Sequence, residues 1–194
     1  MHISRSKLLK LAILSEGVAL LIALVLSLFF RITLLPVTAD FTRDIIIGTA
    51  AALPPLIFFF TSLSKMVEKS PLVRSLRKTM TTDIRAIFSE SNIIDLIIIS
   101  VCAGIGEEFL FRGVIQAKFG IIIASVVFGL VHFITPAYVI IATLMGFYIG
   151  ILFNIFGSLL IPIQMHFVYD LGALIYLRYF VSEEEIVKEL NETD

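Results

Sequence analysis

The apolar run around position 107 contains three ionisable residues, Glu107, Glu108 and Arg112. On an α-helix, Glu108 and Arg112 lie four positions apart on one face, and the acid stands on the amino-terminal side, which favours an ion pair. Glu107 is turned by about 100° from its neighbour and has no such partner on the helix. Since an ionisable side chain inside a bilayer costs at least ~2.5 to 3.5 kcal/mol, such residues usually pair or serve a function. Glu107 is therefore a candidate general base that takes a proton from water.

Two histidines and an aspartate extend this set. His132 ends the next apolar run, and His166 and Asp170 lie four positions apart, on one face of a later predicted helix. The Asp170 carboxylate could orient the His166 imidazole, or both side chains could bind a metal. These three residues and Glu107 come from three different predicted helices, so a polar cavity between the helices would bring them together.

Each of these residues, taken alone, also has a simpler interpretation. A single intramembrane His or Glu often forms a hydrogen bond between helices or one step of an ion path. Glu16, in the first apolar run, has no nearby base in the sequence and no role assigned from it. Cys102 is the only cysteine, which excludes an internal disulfide and a multi-cysteine zinc site, and its thiol is expected to pack as a small apolar group.

The composition identifies the elements that carry these residues. Of 194 residues, 58% are hydrophobic and 16% are charged, and the mean hydropathy is +1.01. The hydrophobic fraction and the hydropathy exceed those of an ordinary soluble domain, and the charged fraction is lower. The charges are bunched between long apolar runs, and the net charge of -1 gives no reason to expect a nucleic-acid partner. The chain is therefore predicted to lie in a lipid bilayer.

Apolar runs long enough to cross a bilayer need about 20 residues each. The sequence predicts six spans, at residues 8–30, 44–63, 93–111, 120–134, 137–156 and 158–180. The first is interpreted as a retained anchor and not a signal peptide, because it exceeds the usual apolar length of a signal. Pro54 and Pro55 predict a kink in the second span, and the fourth span is short and is expected to end inside the protein. The predicted fold is a single domain, 1–194, an all-α polytopic bundle of about six transmembrane helices with a polar intramembrane cavity.

A connector at 64–91 is the one long polar stretch. Ser70 and Pro71 predict the start of a helix there, with apolar residues on one face and basic residues on the others. This pattern indicates an interfacial helix that touches lipid, and a gate over a substrate entrance is the alternative. The basic charge of the connector and of the amino terminus predicts that both are cytoplasmic. Six spans would return the acidic tail at 182–194 to the same side, in a protein expected in the plasma membrane.

In order and spacing, three groups of residues resemble the motifs of the CPBP family of intramembrane proteases. The family includes the type II CAAX prenyl endopeptidases, also called Rce1-like or Abi proteins. Glu107 and Glu108 with Arg112 resemble its Glu-Glu-xxx-Arg motif. The Phe-xxx-His motif has its counterpart in Phe128 with His132, and the His-xxx-Asn or Asp motif in His166 with Asp170. The resemblance covers about residues 93–180.

This resemblance implies that Glu107 and His132 activate the water that attacks a peptide carbonyl. It implies that His166 and Asp170 steady the oxyanion, and that Glu108 and Arg112 support the site structurally. Asp170 stands where eukaryotic prenyl-protein proteases typically have Asn, and an acid is a poorer donor unless it is protonated. Zinc and a metal-free mechanism both stay open, with Glu107, His132 and His166 as the candidate ligands, although the helical His-Glu-x-x-His motif of zinc proteases is absent.

The expected function is hydrolysis of a peptide bond in a peptide or a membrane-anchored protein, by glutamate-dependent or metal-assisted activation of water. CAAX cleavage is only one option, since many small family members are linked to self-immunity against peptides or to pheromone maturation. The alternatives are a non-proteolytic immunity or scaffolding factor, a small transporter, and an ion or proton relay that uses Glu16. A transporter is expected to show inverted repeats with paired broken helices, and the sequence gives no convincing pair.

Overall fold

The computed structural model describes residues 4–64 and 70–181, and within these ranges the chain is helical and contains no strand. The predicted acidic tail, its Asn191-Glu192-Thr193 sequon, and the connector residues Lys65 and Lys69 lie outside the described residues. The helices are α1 (Arg5–Phe30), α2 (Phe41–Ala51), α3 (Leu53–Ser62), α4 (Pro71–Lys78), α5 (Arg85–Phe88), α6 (Ile93–Glu108), α7 (Ala117–Val131), α8 (Pro136–Phe156) and α9 (Leu160–Tyr179). Two segments with π-helical hydrogen bonding, Thr79–Ile84 and Phe109–Gln116, join α4 to α5 and α6 to α7.

The predicted all-α polytopic bundle is confirmed. In the described part of the chain, five helical stretches are long and apolar enough to cross a membrane: Arg5–Phe30, Phe41–Ser62, Ile93–Val131, Pro136–Phe156 and Leu160–Tyr179. The number is five and not six because the predicted third and fourth spans belong to the single stretch Ile93–Val131, which is interrupted at Gly120. Inside the bundle, α6 packs against α1 and α9, while α9 also packs against α2 and α7 packs against α8.

The stretch Ile93–Val131 reverses its direction at Gly120. There φ is 85° and ψ is 167°, a backbone conformation that only glycine adopts readily. Glu107 and His132 would lie about 37 Å apart on a straight helix, yet their side chains approach to 3.4 Å. The two halves are therefore antiparallel, and the second half is too short to cross a bilayer by itself, as predicted for the fourth span.

The second span bends where its prolines predict a kink. Helix α2 ends at Ala51 and α3 begins at Leu53, with Pro54 and Pro55 in its first turn. A proline lacks the N–H that an internal helical hydrogen bond needs, so the start of a new helix accommodates it best.

The connector begins at the predicted position, with Ser70 at the N-cap of α4 and Pro71 at its first position, although the Ser70 side chain makes no capping hydrogen bond. Leu76 and Met80 are buried in one cluster with Phe59 of α3. The apolar face of the connector thus packs against protein, where lipid contact was expected.

Two buried carboxylates tie the helix ends together. Asp95 forms a capping box with Asn92 at the start of α6, and its carboxylate also binds the Arg5 guanidinium at 2.6 Å. Asp44, at the start of α2, is fully buried and accepts a short hydrogen bond from the Ser158 hydroxyl in the loop before α9. These contacts join the start of α1 to the start of α6, and the start of α2 to the loop before α9.

Candidate active site

The structure brings Glu107 and His132 into contact across the α6–α7 reversal. Glu107 Oε2 lies 3.4 Å from His132 Nε2, and it is a buried acceptor that receives no hydrogen bond of good geometry from any described residue. On the other side of the ring, Nδ1 lies 2.7 Å from the Phe128 carbonyl oxygen. A carbonyl only accepts, so Nδ1 carries the hydrogen and Nε2 is the atom that faces Glu107.

Aromatic packing holds the His132 ring in this orientation. The Phe128 ring stacks on the imidazole with 4.4 Å between centroids and meets the edge of Phe111 at 5.0 Å. Gly129 allows α8 to approach closely, because a Cβ atom at that position would lie 2.8 Å from the Val139 carbonyl oxygen. The imidazole is thus positioned by rings from both halves of the reversed stretch.

Glu108 is the centre of a buried charge network. Its carboxylate accepts from Arg112 Nη1 at 3.1 Å, which is the ion pair expected from their helical spacing, and it also contacts His166 Nδ1 at 2.7 Å. Glu108 and Arg112 are 0% and 1% exposed. The guanidinium also donates to the Gly146 carbonyl and lies 4.6 Å from the centre of the Phe128 ring. The pair therefore contacts the Phe128 ring through the Arg112 guanidinium and the His166 imidazole through the Glu108 carboxylate.

His166 links this network to Asp170. Its Nε2 lies 3.3 Å from the Asp170 carboxylate, so the contact expected from the spacing on α9 is present. For both His166 nitrogens to form hydrogen bonds with carboxylates, both must carry hydrogen. His166 is buried, whereas the Asp170 side chain is 28% exposed. The Glu108–His166 contact, which joins α6 to α9, was not anticipated from the sequence.

All four predicted catalytic residues line one cavity of about 240 Å³. Its remaining walls are mainly apolar and come from α3, the connector and α6 to α9. Examples of these wall residues are Phe59, Met80, Ile84, Phe88, Ile99, Met145 and Leu177. An enclosed space with apolar walls and a few convergent polar groups is the usual form of a small binding site.

The donor set does not fit a metal centre. Among residues 4–64 and 70–181, no group of three or more His, Cys, Asp or Glu side chains is arranged to hold a metal ion. The candidate ligand His166 has carboxylates at both of its ring nitrogens. Zinc needs ligand atoms at about 2.0 to 2.2 Å, with a nitrogen lone pair directed at the metal. The predicted ligands Glu107, His132 and His166 therefore do not form a metal site in this arrangement.

Glu16 also lies near the site. Helix α1 approaches α6 so closely at Gly106 that a Cβ atom there would lie 2.7 Å from the Glu16 carbonyl oxygen. The Glu16 carboxylate is within electrostatic range of Glu107, His132 and His166. This proximity depends on the packing of α1 against α6, so the sequence alone assigns Glu16 no partner.

The fold and the site define a polytopic helical membrane protein with a Glu–His pair and a buried charge network around an intramembrane cavity. Residues 89–172 match the family model described as Type II CAAX prenyl endopeptidase Rce1-like. This stretch contains all seven residues of the three motifs, so the predicted resemblance is confirmed for this region. The matched family is one of CAAX prenyl endopeptidases.

One curated relative is the "Uncharacterized protein YpbD" of Bacillus subtilis (strain 168). It is 31% identical over 98 residues, which cover 49% of this chain and 52% of the relative. The chain thus aligns with about half the length of that relative. No solved structure matches the chain.

Proposed function

We propose that the protein is an intramembrane endopeptidase that hydrolyses a peptide bond in a peptide or a membrane-anchored protein. The observation that carries this proposal is the position of Glu107 Oε2, a buried acceptor without a donor, 3.4 Å from His132 Nε2. Glu107 and His132 both line the cavity, and in this proposal a water in the cavity beside the pair is activated by these two groups, which can accept its proton.

The reaction begins when the water oxygen attacks the carbonyl carbon and passes one proton to the Glu107–His132 pair. A C–O bond forms, and the π electrons of the carbonyl move to its oxygen, which becomes an oxyanion. When the oxyanion collapses, the C–N bond breaks and the pair returns the proton to the leaving nitrogen. The products are a carboxylic acid and an amine, and the pair is left as it began.

The neighbouring charges hold this pair in place and stabilise the developing negative charge. In this proposal, His166 places its positive charge near the oxyanion, and Asp170 orients His166 from the cavity side. Glu108 and Arg112 act through position, because together they fix His166 and the Phe128 ring on which His132 stacks.

The apolar walls favour a substrate that reaches the site from within the membrane. A cavity of about 240 Å³ is too small for a helix, whose diameter with side chains is about 10 to 12 Å, so the substrate enters as an extended segment. A CAAX sequence is one substrate of this kind. The basic charge of the amino terminus and the connector favours a cytoplasmic position for both, and the proposed location of the protein is the plasma membrane.

The test compares peptide fragments from cells that express wild-type protein, Glu107→Gln or Glu90→Gln at equal levels. Mass spectrometry of membranes and medium identifies fragments without presuming a substrate. Glu90 is exposed and does not line the cavity, so its variant controls for the loss of one carboxylate. Fragments are expected with wild type and Glu90→Gln and not with Glu107→Gln. If all three proteins are folded and give the same fragments, hydrolysis is refuted and a binding or transport role becomes the better explanation.

A further inference from the structure

Two tyrosines of the cavity wall were not singled out by the sequence. Tyr138 stands in the first turn of α8 and Tyr169 directly precedes Asp170 on α9, and both line the cavity. Tyr148, by comparison, donates its hydroxyl to the Ala51 carbonyl at 2.8 Å. The hydroxyls of Tyr138 and Tyr169 make no hydrogen bond to any residue in the described part of the chain. Each is therefore a donor inside the cavity that is open to a ligand.

The two hydroxyls differ in what surrounds them. The Tyr138 hydroxyl is within electrostatic range of both Asp170 and Glu107, whereas the Tyr169 hydroxyl interacts with Tyr138 and Asp170. Both rings pack against the apolar cluster that contains Phe59, so neither ring is free to swing away. Tyr138 is thus the phenol that lies near both the general base and the carboxylate of α9.

The proposed hydrolysis needs a neutral donor at this place. Negative charge develops on the carbonyl oxygen, and hydrogen bonds directed at that oxygen lower the barrier. An ionised Asp170 can only accept, and both nitrogens of His166 already face carboxylates. A phenol hydroxyl donates without carrying a charge, and that of Tyr138 has no competing acceptor among the described residues.

We propose that Tyr138 is a further catalytic residue, whose hydroxyl donates a hydrogen bond to the carbonyl oxygen of the scissile peptide as it becomes an oxyanion. The inference rests on the proposed function, since it assigns a role within the same site. The hydroxyl keeps its proton throughout, so the balance of the reaction is unchanged. In this arrangement His166 supplies positive charge near the oxyanion, and Tyr138 donates the hydrogen bond to it.

The test uses full-length protein in lipid nanodiscs, with a synthetic peptide that spans a cleavage site found in the Glu107-dependent fragments. Tyr138→Phe removes one oxygen atom and keeps the ring. Tyr148→Phe removes the same atom outside the cavity, where the hydroxyl donates to the Ala51 carbonyl, and is the matched control. We expect Tyr138→Phe to lower kcat by about 10²- to 10³-fold, the effect of losing one oxyanion donor, with little change in KM. Tyr148→Phe is expected to keep kcat within a few-fold of wild type.

A binding measurement separates catalysis from structure. A phosphinic analogue of the peptide carries a tetrahedral centre with an oxyanion, and we expect Tyr138→Phe to weaken its binding by a factor similar to the loss in kcat. Binding of the uncleaved peptide should not change. If Tyr138→Phe binds both ligands and turns over like wild type, while Glu107→Gln is inactive, the role of Tyr138 is refuted and the proposed function stands.

Two further outcomes are decisive. If wild type and Glu107→Gln yield the same fragments, the proposed function fails, and the role of Tyr138 fails with it. If Tyr138→Phe does not fold, 3-fluorotyrosine at position 138 keeps the packing and changes only the acidity of the phenol. A change in kcat with that substitution, but not with the same substitution at position 148, supports the proposal, and an unchanged kcat overturns it.

Discussion

Glu108 is the carboxylate on which two cationic groups converge, and its replacement by glutamine probes the buried network directly. The carboxylate contacts Arg112 Nη1 at 3.1 Å and His166 Nδ1 at 2.7 Å. Glutamine has nearly the same shape, but it offers one oxygen and one NH₂ group. One of the two donors would therefore face another donor, and the Arg112 charge would lose its counterion in a fully buried site.

Breaking a buried ion pair on one side costs about 3 to 5 kcal/mol, because the remaining charge is left uncompensated. We expect Glu108→Gln to lower the free energy of unfolding by about this amount. Replacing both partners by uncharged groups is often nearly neutral, so Glu108→Gln combined with Arg112→Met is expected to be more stable than Glu108→Gln alone.

Reversible unfolding in mixed lipid–detergent micelles measures these differences. Glu90→Gln serves as the control and should change the stability by less than about 0.5 kcal/mol, since its carboxylate is exposed. A loss below about 1 kcal/mol for Glu108→Gln, or strict additivity of the two single variants, would refute the idea that the pair is energetically coupled.

Three further predictions concern the backbone contacts and the chemistry. Gly106→Ala should lower the free energy of unfolding by about 1 to 3 kcal/mol, because the new Cβ would lie 2.7 Å from the Glu16 carbonyl oxygen. The control is Gly17→Ala on the facing helix, where the new Cβ meets open space. This variant should be neutral or slightly stabilising in the same unfolding measurement. Gly120→Ala should cost about 1 to 3 kcal/mol, because φ is 85° there, and it should also reduce the Glu107-dependent fragments; full stability and activity would show that the reversal does not need glycine. Finally, 1,10-phenanthroline should leave formation of these fragments unchanged, because Glu107, His132 and His166 are not arranged as metal ligands; a loss of cleavage that added zinc restores would contradict this expectation.

The sequence predicts those parts of the site that depend on a single helix. The contacts of Glu108 with Arg112 and of His166 with Asp170 follow from a spacing of four residues, and both are present. The contact between Glu108 and His166 depends on how α6 packs against α9, and no local periodicity encodes such packing. The hydroxyl of Tyr138 was missed for the same reason, since an aromatic residue in an apolar run gives no polar signal.

In the fold, too, the features that depend on a single helix are predictable from the sequence, and those that depend on packing between helices are not. Helical periodicity and length predict the spans, but the connector departs from a regular helix at Thr79–Ile84, where a π-helical segment changes the phase of the faces. Within this segment the polar residues Thr79 and Thr81 are buried together with Met80. A π-helical turn arises from tertiary packing as well as from local preference, so the positions after it cannot be assigned by counting residues.

The spacing of the buried charges also has a consequence for how the chain is assembled in the cell. Glu108 and Arg112 lie one turn apart on the same stretch, and so do His166 and Asp170 on α9. Each stretch therefore carries its own counterion as it leaves the ribosome and partitions into lipid, where an isolated charge costs at least ~2.5 kcal/mol. Glu107 is different, because its partner His132 emerges only with the returning half of the reversed stretch. Residues 93–131 are thus expected to insert into the bilayer as one unit, a hairpin that forms before α9 is synthesised. Once α9 has inserted, the local charge pairs join in the network between α6 and α9.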